Sequence, residues 1–328
     1  MNLYLNAQTN LDYTLKEFYQ KYNYWLKLIF SAILLSLIFL KVDYNILTKS
    51  LKLITWWYYL LTIALFALMQ FINGYRWHIF LDNYNLSSLI RYSFISQYYT
   101  FILPSSLTAD ISKIIIMEKK NNANDIVASV VCDKIVTFFS MTITLMVAFI
   151  FCSSQGLKKL FLPATIFFVI LVLVIFFIFL IDIKKILNYL FKKSALKVFQ
   201  NKTSDLLIVY FEKIQSKMMN FSAVYKSLIS GILVQFVNTI TLFIIDSILN
   251  IGLNVFDYII ISSSLQILLM LPFSIGGIGF RDVSIVMVLG LAGITSSKAI
   301  TYSLSLYPAL VAVVIIGFLV QIKNNKIK

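Results

Sequence analysis

Charge is what this sequence has least of. Asp, Glu, Lys and Arg make up 13% of its 328 residues, while 60% are hydrophobic and 16% aromatic. A soluble domain carries about a quarter charged residues, so this chain has roughly half of what a water-facing surface needs. Histidine is nearly absent: His78 is the only one. That excludes a histidine-cluster metal site and any credible Ser/His/Asp set. The two cysteines, Cys132 and Cys152, close the ends of one largely apolar stretch without metal or redox spacing, and read as small buried hydrophobes. No phosphate-cradling Gly-x-x-x-x-Gly-Lys loop occurs, which excludes an ATP-driven motor within these residues. No stretch is long and polar enough to form a separate soluble catalytic domain. Residues 1–24 are polar and aromatic, without the apolar core of a secretory signal.

What is present in excess is apolar sequence in blocks of bilayer length. A hydrocarbon core of about 30 Å takes about 20 apolar residues as helix. Leu160 to Ile181 supplies 22 residues without a charge. Leu26–Leu40, Leu53–Ile72, Ile135–Phe151, Leu228–Ile251 and Ala299–Gln321 are further crossings by the same criterion. Leu86–Leu103, Tyr258–Leu271 and Val283–Ile294 are apolar but short or interrupted. Such segments survive in a bilayer only where protein or a wet cavity buries them, and they predict re-entrant or broken helices. The expected architecture is therefore all-α and polytopic, with six to eight transmembrane helices and two re-entrant elements. A polar segment (1–24), a single membrane domain (25–322) and a basic tail (323–328) divide the chain.

The net charge is +14. A nucleic-acid ligand is not expected, because the positive charge lies mostly in loops between apolar blocks, as an anionic cytoplasmic leaflet favours. The loop 182–227 carries nine lysines against Asp182, Asp205 and Glu212. Its first half interleaves Ile186, Leu187, Leu190, Phe191, Leu196 and Phe199 and reads as an amphipathic helix on anionic lipid. This loop and the tail Lys323, Lys326, Lys328 are expected in the cytoplasm, with the protein in the plasma membrane. A cysteine introduced at Lys193 should accordingly resist an impermeant thiol reagent in intact cells, and labelling there would reverse the orientation.

Two short patterns echo each other across half the chain. Leu103-Pro104-Ser105-Ser106 closes one partial helix and Leu271-Pro272-Phe273-Ser274 another, with Gln97 and Gln266 before them. An acid with a nearby base follows each: Asp110 with Lys113, and Arg281 with Asp282. Paired interrupted helices in two halves point to an inverted repeat with a site between.

The candidate site residues follow from rarity and position. Only three of the 28 basic residues are arginines, Arg76, Arg91 and Arg281, all beside apolar blocks or in the glycine turn. A planar guanidinium matters where phosphate or carboxylate is held by two bonds. The alternative for Arg76, next to Trp77, is anchoring at the membrane interface. Gly276, Gly277 and Gly279 precede Arg281-Asp282 and would expose backbone amides at a helix start, which suits an anion. A hinge with Arg281 and Asp282 simply paired is the competing reading. Asp133-Lys134 interrupts Ile126–Phe151, and Asp246 lies inside Leu228–Ile251. Intramembrane charges are costly and by default functional; otherwise Asp133-Lys134 marks a helix entrance and Asp246 the far interface.

These residues together resemble the flippase-like membrane region of the lysylphosphatidylglycerol synthase family, over about residues 20–322. The landmarks are Arg76-Trp77, Leu103-Pro104-Ser105, Asp110, Asp133-Lys134 and Pro272-x-Ser274-x-Gly276-Gly277-x-Gly279-x-Arg281-Asp282. The chain has Thr108-Ala109-Asp110 where the family usually has Gly-Gly-Asp. It has Asp133-Lys134 for Asp-Arg, and Arg281-Asp282 for Arg-Glu. Taken with the rarity argument, the resemblance leads to the expectation that Arg76, Arg91, Asp110, Asp133, Lys134, Gly276, Gly277, Gly279, Arg281 and Asp282 bind an anionic phospholipid or a polyprenyl-phosphate-linked glycan. It implies translocation or handling of that lipid in envelope biogenesis, with no cofactor and no enzymatic step. The synthases' soluble aminoacyl-transferase domain has no counterpart in these residues, so lysyl transfer is not expected. A homo-oligomer and envelope-synthesis partners are compatible with this reading. Two alternatives stand beside it: a membrane-embedded lipid-linked glycosyltransferase, which would need an acidic pair in an early outer loop where Asp43 stands alone, and a non-transporting scaffold subunit.

Overall fold

The computed structural model describes residues 44–102, 107–118, 123–180, 203–269 and 278–326, together with Ile29, Ile33 and Ser36. Among them there is no strand. The helices are α1 (Tyr44–Lys52), α2 (Trp56–Phe80), α3 (Leu86–Ile102), α4 (Leu107–Glu118), α5 (Ala123–Ile150), α6 (Phe161–Leu180), α7 (Thr203–Met219), α8 (Phe221–Leu249), α9 (Val255–Leu269), α10 (Phe280–Leu291), α11 (Ser296–Ser305) and α12 (Tyr307–Lys326). Among the described residues five stretches are long and apolar enough to cross a bilayer: Trp56–Phe80, Ala123–Ile150, Leu157–Phe179, Phe221–Leu249 and Ser296–Lys323. The protein is a polytopic all-α membrane protein. The expected crossing Leu26–Leu40 falls almost wholly outside the described residues.

Polar residues sit inside these helices because the helices satisfy them. Thr137, Ser140, Thr142 and Thr144 each donate to the carbonyl four residues earlier in α5, at 2.6 to 3.0 Å, so their hydroxyls do not ask for partners from lipid. Asn220 opens α8 by accepting the Ala223 N–H at 3.2 Å, the usual device for a free N–H in the first turn. The last crossing is broken. Pro308 lacks the N–H that would bond the Leu304 carbonyl, and α11 gives way to α12 at Leu306. Ala299–Gln321, expected as one crossing, is two helices.

Two ends of the bundle can be told apart. At one, Lys217 donates to the Phe80 carbonyl at 2.6 Å and pairs with Asp125 at 3.0 Å, with Lys213 at 3.9 Å from the same carboxylate. The end of α2, the starts of α5 and α8, and the end of α7 meet there; this is the lysine-rich end. At the opposite end Asp257, opening α9, accepts from Ser153 Oγ at 2.6 Å and from the Ser153 N–H at 3.2 Å in the link after α5. Lys298 donates to the Asn250 carbonyl nearby.

The short helices form two hairpins that enter from opposite ends. Leu89 of α3 and Met117 of α4 join one cluster with Trp77, Leu81 and Ile126, so α3–α4 begins and ends at the lysine-rich end. Asp257 of α9 meets Ser153, and Leu291 at the end of α10 packs so tightly on Gly156 that a Cβ there would lie 1.7 Å from its carbonyl oxygen. Thus α9–α10 begins and ends at the opposite end. With 17, 12, 15 and 12 residues, the four arms run about 18–26 Å, short of a bilayer core of about 30 Å.

The rest of the packing repeats this relation. The unit α2, α3–α4, α5 corresponds to α8, α9–α10, α11–α12 with the direction reversed. The contacts of α2 with α3, α5 with α9 and α5 with α8 are matched by those of α8 with α9, α12 with α3 and α12 with α2, while α2 and α8 contact each other. This is an inverted repeat. The α3–α12 contact needs Gly317, because a Cβ there would lie 2.3 Å from the Phe94 carbonyl oxygen. Gly317→Ala should cost about 1–3 kcal/mol, the usual range for overpacking, read as a lowered unfolding midpoint of purified protein in detergent.

Two boundaries differ from expectation. The loop 182–227 is helical over 203–219, and 221–227 are the first turns of α8; the amphipathic stretch 182–199 lies outside the described residues. The crossings expected as Leu53–Ile72 and Ile135–Phe151 extend to Phe80 and back to Ala123. The charges that seemed to end them lie within the helices: Arg76 pairs with Asp133, and Lys134 with Asp110.

Candidate functional site

Between the two hairpins lies a cavity of about 370 Å³. Helices α2, α3, α4, α5, α8, α9 and α10 and the α11–α12 break all contribute to its walls. Toward the lysine-rich end its charges form a chain. Arg76, one turn before the end of α2, holds Asp133 of α5 through Nε at 2.6 Å and Nη2 at 3.4 Å. Lys113 of α4 bridges Asp133 at 3.8 Å and Asp110 at 3.5 Å. Lys134 holds the other oxygen of Asp110 at 2.8 Å. Arg76 and Asp133 are only 5% and 3% exposed; each would be prohibitive alone and is tolerated because the other is there. Beside this pair α5 and α8 approach closely at Gly231, where a Cβ would come 2.1 Å from Ser140 Oγ. Lys113 also lies 5.0 Å from the centre of the Trp77 ring, and Trp77 is fixed by its Nε1–H to Ser129 Oγ at 3.0 Å.

Arg281 belongs to the same cavity but not to that chain. Gly279 adopts a left-handed backbone (φ 79°), and its N–H reaches Asp282 Oδ2 at 3.0 Å, closing the first turn of α10. Asp282 also accepts a short hydrogen bond from Ser303 Oγ and another from Tyr307 Oη at 2.7 Å. Its lone pairs are taken up by the turn and by the α11–α12 break, and no ion pair joins it to Arg281. The Arg281 guanidinium instead lies over the Tyr307 ring, 4.1 Å from its centre. Its Nε and Nη2 have no hydrogen-bond partner among the described residues, although Arg281 is only 8% exposed. A buried guanidinium without an anion is an expensive arrangement, since a lost charged hydrogen bond costs more than a neutral one.

The cavity lining holds four cations, Arg76, Lys113, Lys134 and Arg281, against the carboxylates Asp110 and Asp133, a formal surplus of two positive charges. Neutral donors and acceptors complete it, including Gln97, Asn73, Asn238, Gln235 and Gln266.

Most of the residues singled out from sequence are thus brought together: Arg76, Asp110, Asp133, Lys134 and Arg281 line one cavity, with Gly279 and Asp282 behind Arg281. Arg91 is not among them. It is exposed and donates to the Ser87 carbonyl at 3.3 Å and to Ser88 Oγ at 3.0 Å within its own helix. Arg76 is not an interfacial anchor, because its guanidinium turns inward to Asp133. Asp133-Lys134 is not a helix entrance but sits in the third turn of α5. Asp246 is structural: its Oδ1 accepts the Gly252 N–H at 2.8 Å and caps the turn after α8. Gly276 and Gly277 lie outside the described residues. Lys113 was missed as a site residue, though its place three residues after Asp110 could have found it. Tyr307 and Gln235 carried no sequence signal, and Gln266, noted only in the internal echo, gave no sign of its pairing with Gln235, which lies on another helix.

With this geometry in hand, the chain can be compared with known proteins. Residues 24–318 match the family model described as the lysylphosphatidylglycerol synthase TM region. The chain belongs to that family. Comparisons with curated proteins and with solved structures returned no match.

Proposed function

We propose that this protein translocates or handles an anionic lipid, or a lipid-linked glycan bearing a phosphate, across the cytoplasmic membrane in envelope biogenesis, and does so without catalysing a reaction. The observation that carries this reading is the buried Arg281 guanidinium, whose Nε and Nη2 have no partner among the described residues, in a cavity whose described lining has surplus positive charge. An anionic headgroup would complete its bonds in a low dielectric and be oriented by the fork. The inverted repeat adds the second element, because paired hairpins entering from opposite ends surround sites in transporters that open to alternate sides. The membrane-region family is consistent with a lipid-related envelope role.

A glycosyltransferase is less well supported. It would need a carboxylate free to act on substrate, and Asp110 and Asp133 are each held by two cations. The lipid reading is tested by reconstituting the protein in vesicles with a fluorescent anionic or a fluorescent zwitterionic lipid. The expected result is transbilayer movement of the anionic lipid above that of protein-free vesicles. Equal rates with and without protein would remove translocation from the proposal.

A further inference from the structure

Helices α8 and α9 separate the polar cavity from a second space. On their far side, together with α5, they form a groove of about 210 Å³ lined by Ile143, Val147, Ile232, Phe236, Phe256 and Ile259. Its surface is almost wholly apolar. What stands between groove and cavity is a seam of neutral hydrogen bonds. Gln235 and Gln266 face each other amide to amide, each Nε2–H donating to the other's Oε1, at 3.2 and 2.8 Å. One turn away, Thr239 and Ser262 share a hydrogen bond at 3.3 Å. Gln235 lines both spaces, Thr239 faces the groove, and Ser262 and Gln266 face the cavity. No ion pair and no interlocked aromatic crosses the seam at these positions. Each bond is worth only about 0.5–1.5 kcal/mol net, and the separated amides would find replacement partners in the polar cavity.

The structure thus sets a cavity suited to an anion beside a groove suited to hydrocarbon, with a weak partition that presents hydrogen-bonding groups to both. That is the shape of a molecule with a charged head and an aliphatic tail. We propose that the α5–α8–α9 groove holds an aliphatic chain of the same lipid whose headgroup enters the cavity, and that the Gln235–Gln266 seam is the partition the headgroup crosses. The proposal rests on the anionic-lipid reading above. It adds a location for the tail and a route for the head.

The test uses a reversible lock. Thr239→Cys/Ser262→Cys places two thiols where hydroxyls already touch, so a mild oxidant should join α8 to α9 one turn from the glutamine pair. The probe is phosphatidylglycerol with a fluorescent long acyl chain, added to full-length protein in detergent. Oxidation should slow its association at least tenfold, reductant should restore it, and neither single cysteine variant should respond. A second variant, Ile232→Trp, fills the groove. It should weaken binding of the long-chain lipid about tenfold and leave binding of a dihexanoyl lipid with the same headgroup unchanged. Unchanged association in the locked protein, or equal weakening for both chain lengths, overturns the proposal while leaving the headgroup cavity standing. If wild-type protein binds neither lipid, the anionic-lipid reading falls and this proposal with it.

Discussion

Replacing Arg281 by lysine is expected to slow movement of an anionic lipid about tenfold or more. Lysine keeps the positive charge but loses the planar fork that lies over the Tyr307 ring, 4.1 Å from its centre. Nε and Nη2, two nitrogens without a partner among the described residues, are the ones an anion would engage. A hydrogen bond to a charged group is worth roughly 1.5–3 kcal/mol net, so loss of one accounts for about a tenfold change and loss of both for more. Folding should be preserved, because Asp282 takes its bonds from Gly279, Ser303 and Tyr307 and none from Arg281. The assay is translocation in reconstituted vesicles, with gel filtration showing a monodisperse protein. Lys202→Gln, in the basic loop, should leave the rate unchanged. Wild-type rates in Arg281→Lys would mean that the guanidinium serves only to pack on Tyr307.

The second large effect concerns stability. Asp133→Ala removes the carboxylate that holds Arg76 at 2.6 Å and faces Lys113 at 3.8 Å. An uncompensated charge then remains at a site 5% exposed. Breaking a buried pair from one side costs about 3–5 kcal/mol, and the unfolding midpoint of the purified protein should fall accordingly. Removing both partners, as Arg76→Met with Asp133→Leu, should recover most of that loss, since apolar replacement of a buried pair is often neutral or better. A double variant as unstable as Asp133→Ala would show that Arg76 and Asp133 are not coupled in this way.

The membrane character, the five described crossings and three of the four short hairpin arms were legible because hydrocarbon thickness imposes a length on apolar runs, and the runs are in the sequence; the fourth arm, α4, was not read as one. The inverted repeat was visible only as the echo of Leu103-Pro104 and Leu271-Pro272; its proof is in the pairing of helices. Charges misled at the boundaries. Arg76 and Asp133-Lys134 look like helix ends when each is judged by its own cost, and they lie inside because Arg76 offsets Asp133 across 57 residues of sequence and Asp110 offsets Lys134. Arg91 misled in the other direction. Its type suggested a site, but the face of α3 on which it falls turns it outward, where the backbone of its own helix satisfies it. Arg281 and Asp282, adjacent in sequence, were a natural pair; residues adjacent on a helix point apart, so Asp282 goes to Ser303 and Tyr307 and Arg281 is left facing the cavity.

The central claim is that the surplus positive charge of this cavity selects an anionic lipid headgroup. Native mass spectrometry tests it most directly, on protein held in micelles doped with equal amounts of phosphatidylglycerol and phosphatidylethanolamine of the same chain length. The account predicts that wild-type protein retains the anionic lipid in marked preference, and that Arg281→Gln loses most of that preference while remaining folded. Retention of the two lipids in proportion to their abundance by the wild-type protein would contradict it.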